Sequence, residues 1–161
     1  YVQALKETGV AGVIVAEPAA GLLGNDDAYT YSTLYVKRIV EALQDENFKI
    51  ILHNCGNSGH CTESMVASDA FALHFGNQCD MLTALSVVPS DRMVMGNIDP
   101  VSVFKNASAE EVYAVTQKML EETKHYNNFV LSTGCDVPPG VPWENVKAFY
   151  AAVSDYNNQR C

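Results

Sequence analysis

Five runs of apolar, β-branched-rich residues recur along the chain at 12–17, 49–55, 70–76, 93–98 and 129–135, and each predicts a strand. The hydrophobic positions within a run are largely consecutive rather than alternating, as in parallel strands covered on both faces. Between the runs the period changes. Residues 31–43 place Leu34, Val36, Ile39, Val40 and Leu43 at helical spacing, and 108–126 do the same with Val112, Val115, Met119 and Leu120. Ser108 with Glu111 three residues on is a capping-box start. Pro142 before Trp143 opens a last helix over 143–156, and residues 1–8 also read as helix.

Strands that alternate with helices predict parallel βαβ units. No repeat longer than that unit and no low-complexity linker interrupts them. The strands end in polar or reactive residues: Glu17-Pro18; His53-Asn54-Cys55-Gly56-Asn57; His74; Gly96-Asn97-Ile98-Asp99-Pro100; Gly134-Cys135-Asp136. Chemistry gathered at the carboxyl ends of strands is the mark of a (β/α)8 barrel. Neither a G-x-G-x-x-G turn nor a P-loop is present, which removes the usual nucleotide-binding readings. Five strands cannot close an eight-stranded barrel, and the chain starts, without Met, inside an expected helix. The expected fold is therefore α/β, the C-terminal part (about five βα units) of a (β/α)8 TIM barrel, with residues 1–161 as a fragment of that domain. A partial barrel exposes strand edges, so a homodimer or strand exchange is expected.

Composition narrows the partners. With 161 residues, 48% of them hydrophobic and 18% charged, the chain can bury one core. A net charge of −9 leaves no basic surface for nucleic acid. No apolar run approaches the roughly 18 residues of a membrane span, and no secretory signal opens the chain. Five cysteines, an odd number without a framework spacing, fit a reducing cytoplasm.

The densest chemistry is His53 and Cys55 at the end of the second strand, read with Cys135. Positions i and i+2 of a strand point to one face. A His, a nearby Cys and a Cys from a separate segment form a three-ligand zinc set. The alternative is a buried His satisfied by backbone and an inert core Cys. Glu17 is a candidate fourth, displaceable ligand or a general base, or else a carboxylate that holds a neighbouring loop. His74 either contacts substrate at the same mouth or is structural. Asn97 and Asp99 either orient a metal-bound His or bind polar groups of substrate; alternatively Asp99-Pro100 closes a turn. His60 and Cys61 offer a second set with Cys55 for a local metal cluster, but they follow Asn57-Ser58-Gly59, which reads as a turn, so the expectation is loop or helix-start residues without a metal role. Cys79 and Cys161 have no supporting neighbours, and Gly134 with Pro138-Pro139 shapes the loop of Cys135.

Four ordered motifs carry a resemblance over nearly the whole chain: Glu17-Pro18-Ala19-Ala20-Gly21; His53-Asn54-Cys55-Gly56-Asn57; Gly96-Asn97-Ile98-Asp99-Pro100; and Gly134-Cys135-Asp136-Val137-Pro138-Pro139-Gly140, with Pro142-Trp143-Glu144-Asn145 after them. They resemble the C-terminal part of the uroporphyrinogen decarboxylase superfamily, which includes methylcobamide:coenzyme M and related corrinoid methyltransferases. The resemblance implies a (β/α)8 barrel. In the methyltransferase branch a His-x-Cys pair and a later Cys bind zinc, and those positions fall on His53, Cys55 and Cys135. The decarboxylase branch, free of metal, has Gly-His-Gly-Ile-like residues where this chain has Gly134-Cys135-Asp136, and that departure favours the zinc branch.

The implied activity is zinc-dependent transfer of a methyl group from a methylcobamide (corrinoid), presented by a corrinoid protein, to a small-molecule thiol such as coenzyme M. Glu17 and Asp99 are the expected catalytic residues, with His74 and Asn97 contacting substrate. Two other functions compete: a decarboxylase of the uroporphyrinogen type, and a non-catalytic domain that captures a corrinoid or its carrier.

Overall fold

The structure is a computed structural model that describes residues 1–56 and 59–159. Asn57 and Ser58 of the expected turn, and Cys161, lie outside the described residues. Helix α1 (Val2–Glu7) precedes strand β1 (Gly12–Ala16), a 3-10 turn (Pro18–Leu22) and helix α2 (Asn25–Ala28). A π-helical turn (Tyr29–Thr33) leads into α3 (Leu34–Leu43), then β2 (Lys49–Asn54) and α4 (Thr62–Ala67). Next come β3 (Ala72–Phe75), α5 (Met81–Val87), β4 (Met93–Ile98), α6 (Ala109–Glu122), β5 (Phe129–Thr133) and α7 (Trp143–Asn158).

All five strands are parallel and pair in the order β1-β2-β3-β4-β5. A sheet in which every strand lies beside its successor is singly wound, as in a barrel; a doubly wound sheet reverses direction partway. This is part of a (β/α)8 barrel, as expected. The run at 93–98 coincides with β4; those at 12–17, 49–55 and 129–135 extend one or two residues past their strands into the loops that carry the chemistry, and that at 70–76 begins two residues before β3 and ends one after it. Ser108 and Glu111 make both bonds of the expected capping box at the start of α6.

Helical structure begins earlier than 31, at Asn25. The segment Asn25–Thr33 is too polar to show a helical stripe, and it is held from outside: the Ser64 hydroxyl lies 2.6 Å from the carbonyl of Asn25 and 2.8 Å from its Oδ1, while Thr33 donates to the carbonyl of Ser64 at 3.0 Å.

One face of the sheet makes the core. Ile50, Phe75 and Val94 are 0% exposed and pack with Leu52 and Leu73 against Val36 and Val40 of α3, Met65 of α4 and Leu85 of α5. Full burial of such side chains stabilises the fold by about 1.5–3 kcal/mol each. The other face, which would line a barrel, carries Ile14, His53 and His74 around one cavity. Ile14 is 63% exposed there. Asp69 ties the helical layer to the sheet through ion pairs with Lys37 of α3 at 2.6 Å and Arg92, just before β4, at 2.9 Å. Among the described residues, no helix is long and apolar enough to cross a membrane.

Candidate metal centre

His53 is the penultimate residue of β2, in register with Ala16 of β1 and His74 of β3, and only 8% exposed. Cys55 does not share the strand as its i+2 spacing implied: β2 ends at Asn54. The side chain of Asn54 accepts from the backbone N–H of Gly56 at 3.1 Å, an Asx turn that bends the chain at Cys55. The turn, not the pleat, places the thiol. Gly76, directly after β3, lies so near this turn that a Cβ there would stand 2.4 Å from the carbonyl oxygen of Cys55.

Cys135 arrives from the other side, two residues beyond β5. Its loop is fixed by the Gly134 N–H, which donates to the carbonyl of Ile98 at 2.8 Å, and by the Thr133 hydroxyl, which donates to the carbonyl of Cys135 at 2.8 Å. A Cβ on Gly134 would come within 2.5 Å of the backbone nitrogen of Asn77, so this position also needs glycine for close approach.

These elements bring one ligand atom each of His53, Cys55 and Cys135 within 4.8 Å of one another. Zinc with bonds of about 2.3 Å to sulfur and 2.0 Å to nitrogen needs ligand atoms roughly 3.5–3.8 Å apart at tetrahedral angles, so side-chain adjustments of about 1 Å close the set. Two thiolates and an imidazole suit zinc by softness as well as by size. Burial raises the pKa of Cys55 above the ordinary thiol value, and the neighbouring Cys135 raises it further. A bound cation reverses that logic, because a coordinating thiol is deprotonated. Cys135 is half-buried, at the wall of the cavity shared by Ile14, His53, His74, Thr133 and Asp136.

The other expected site residues divide. His74 joins the cluster, with Nδ1 2.6 Å from Nδ1 of His53 and Nε2 2.8 Å from the Ser132 hydroxyl and 2.9 Å from the Thr133 carbonyl. Its pKa is lowered by burial first and by the adjacent His53 next, against smaller raising effects of the Thr133 carbonyl and Asp136. Glu17 follows Ala16, the partner of His53; its N–H donates to the His53 carbonyl at 2.9 Å and its Oε2 accepts the Ser32 hydroxyl at 2.9 Å.

Asn97 and Asp99 lie in loop scaffolding. Asn97 is buried and donates to the carbonyls of Gly76 at 2.8 Å and Cys79 at 2.6 Å. The carboxylate of Asp99 accepts from the N–H groups of Val101 and Ser102 and, at 2.8 Å, from the side chain of Asn77. Burial of Asp99 opposes its ionisation, but these bonds prevail and its pKa is lowered.

His60 and Cys61 bond backbone instead of gathering at the centre. His60 Nε2 lies 3.0 Å from the Leu23 carbonyl, and the buried Cys61 thiol donates to the same carbonyl at 3.3 Å. Cys79 is buried, which pushes its pKa up to about 11 with help from Asp80. Ser132 and Thr133 are not among the expected site residues, and Asp136 is expected only as a polar strand-end residue. Asp136 had a signal, its place beside Cys135; the carbonyl of Thr133 is main chain and has none.

A family model described as uroporphyrinogen decarboxylase (URO-D) matches residues 1–156. The methylcobamide:CoM methyltransferase MtbA of Methanosarcina mazei is 27% identical over 158 residues, which cover 97% of this chain and 45% of that relative. MtbA of Methanosarcina acetivorans is 26% identical with the same two coverages. A uroporphyrinogen decarboxylase of Christiangramia forsetii is 28% identical over 156 residues, 97% of this chain and 44% of its own. The solved structure of a methyltransferase from Methanosarcina mazei superposes with a TM-score of 0.84 at 22% identity, over 98% of this chain and 45% of that one. The chain thus spans about half the length of the curated relatives it matches.

Proposed function

Within the uroporphyrinogen decarboxylase family, to which this chain belongs, we propose that it forms the C-terminal share of a zinc-dependent methyltransferase barrel. The reaction is transfer of a methyl group from a methylcorrinoid, carried by a corrinoid protein, to a small thiol such as coenzyme M. The observation that carries this reading is the convergence of His53, Cys55 and Cys135 within 4.8 Å at the carboxyl end of the sheet. Relatives named as methylcobamide:CoM methyltransferases support it. Relatives named as uroporphyrinogen decarboxylases support decarboxylation as the competing reading.

The protein's own groups have distinct tasks. His53, Cys55 and Cys135 would hold the metal. Bound there, zinc would supply the positive charge that lowers the pKa of a substrate thiol and stabilises its thiolate. The two cysteine thiolates, by their negative charge, keep that stabilisation moderate, which matters because nucleophilicity falls as thiol pKa falls. Glu17 receives the thiol proton on the carboxylate, which Ser32 steadies at Oε2. Ile14 and Val137 give the cavity an apolar wall beside the metal ligands. Asn97 and Asp99 support the loops that border it, with a substrate contact of Asn97 or Asp99 made from those loops.

The full-length protein, incubated with methylcobalamin and coenzyme M, is expected to show thiol-dependent demethylation. A strong chelator should abolish it and added zinc should restore it. Decarboxylation of uroporphyrinogen that is indifferent to chelator, with no thiol-dependent demethylation, would select the competing activity instead.

A further inference from the structure

We propose that His74 is a positioning residue that fixes the tautomer of His53 and so presents the Nε2 lone pair of His53 to the metal. This rests on the metal centre proposed above and assigns a role in it to a histidine outside the three ligands. The two rings sit side by side on neighbouring strands, in register, with centroids 4.6 Å apart and planes inclined by 54°. The argument turns on where protons can be.

The Thr133 carbonyl, 2.9 Å from Nε2 of His74, has no hydrogen, so the hydrogen bond between them requires the proton on Nε2. The Ser132 hydroxyl donates to that same carbonyl at 3.1 Å, which leaves its oxygen to accept from Nε2 at 2.8 Å. Both partners therefore ask His74 to be an Nε2–H tautomer, whose Nδ1 is an acceptor. Nδ1 of His53 lies 2.6 Å from that acceptor and 3.2 Å from a second one, the backbone carbonyl of His74. Two nitrogens that face each other can share only one proton, and it belongs to His53. The ring nitrogen of His53 left with a lone pair is Nε2.

A metal-binding histidine commonly gives its other N–H to a carboxylate, a backbone carbonyl or water. Here an imidazole, the nearer of two acceptors, shares that place with the backbone carbonyl of its own residue and is itself anchored to backbone across the sheet. The anchor also joins the two halves of the centre. Thr133, whose carbonyl accepts the hydrogen bond from Nε2 of His74, donates its hydroxyl to the carbonyl of Cys135 at 2.8 Å. The orientation of His53 on β2 is thereby tied to the loop that brings the distant thiol from β5.

The test is zinc affinity of the full-length protein, read by competition with a chromogenic chelator, for wild type, His74→Leu and His74→Asn. The Asn side-chain oxygen falls near the place of Nδ1 and preserves the acceptor; Leu does not. Loss of the acceptor is expected to weaken zinc binding about 10–100-fold, with His74→Asn within about 3-fold of wild type by the same reasoning. Long-range proton–nitrogen NMR of the histidine-labelled, zinc-loaded wild type is expected to show His53 protonated at Nδ1 and His74 at Nε2. Wild-type affinity in His74→Leu, equal losses in both variants, or His53 protonated at Nε2 would overturn the assignment. A wild-type protein that binds no zinc would remove the metal centre itself, a result distinct from any of these.

Discussion

Replacement of Cys135 by serine is expected to weaken zinc binding by more than about 100-fold, beyond the 10–100-fold range typical of residues that only support a ligand. The soft thiolate gives way to a hydroxyl that does not ionise near neutral pH, and His53 and Cys55 alone make a two-point site. Thiol methylation should fall further than metal occupancy alone implies. A free thiol with a pKa of about 8.5 is only about 3% ionised at pH 7. Loss of its fixed position removes a second advantage, so turnover is expected to drop by on the order of 10³-fold. Cys135 sits half-buried in a loop past β5 rather than in the core cluster, so the fold should persist. Chelator competition and steady-state rates on the same preparations measure both effects. A variant with wild-type affinity and rate would mean that Cys135 is no ligand.

Gly76→Ala is expected to damage the centre without touching a ligand. A Cβ at this buried position would lie 2.4 Å from the carbonyl oxygen, 2.7 Å from Cα and 2.8 Å from the carbonyl carbon of Cys55. All three are backbone atoms, so no flexible side chain can yield. The Gly76 N–H also donates to the carbonyl of Asn54 at 3.2 Å, which pins it beside the turn it would have to push away. Such overpacking costs about 1–3 kcal/mol. The displaced Cys55 should also lower zinc affinity by about 10-fold or more, comparable to losing a supporting contact. Gly24→Ala is the control: nothing stands within 4 Å of its Cβ, and its stability should stay within about 0.5 kcal/mol of wild type. Denaturant unfolding and metal titration read the two consequences separately. If Gly76→Ala matched Gly24→Ala in both, the close packing of the β2 and β3 loops would not position the thiol.

Much of this architecture was legible in the chain because parallel strands write themselves as consecutive apolar residues. Val13–Ala16 and Ile50–Leu52 show it, and Ser108 with Glu111 marks its helix by a local bond pair. Short elements were not legible. Thr62–Ala67 and Met81–Val87 span fewer than two helical turns, too little for a period to emerge. The association of His53, Cys55 and Cys135 could be anticipated from strand ends and from the resemblance. The means could not. Cys55 is placed by an Asx turn and a glycine from another strand end, and His74 acquires its partners from strand register and a main-chain carbonyl. Such contacts depend on tertiary pairing, which residue type alone does not record.

The decisive measurement is the metal content of the purified full-length protein by elemental analysis, for wild type and for the Cys55→Ser, Cys135→Ser double variant. The convergence of His53, Cys55 and Cys135 predicts about one zinc per chain in wild type and none in a folded double variant. A folded wild-type protein without zinc that also fails to take it up, or a double variant that keeps it, would contradict the account.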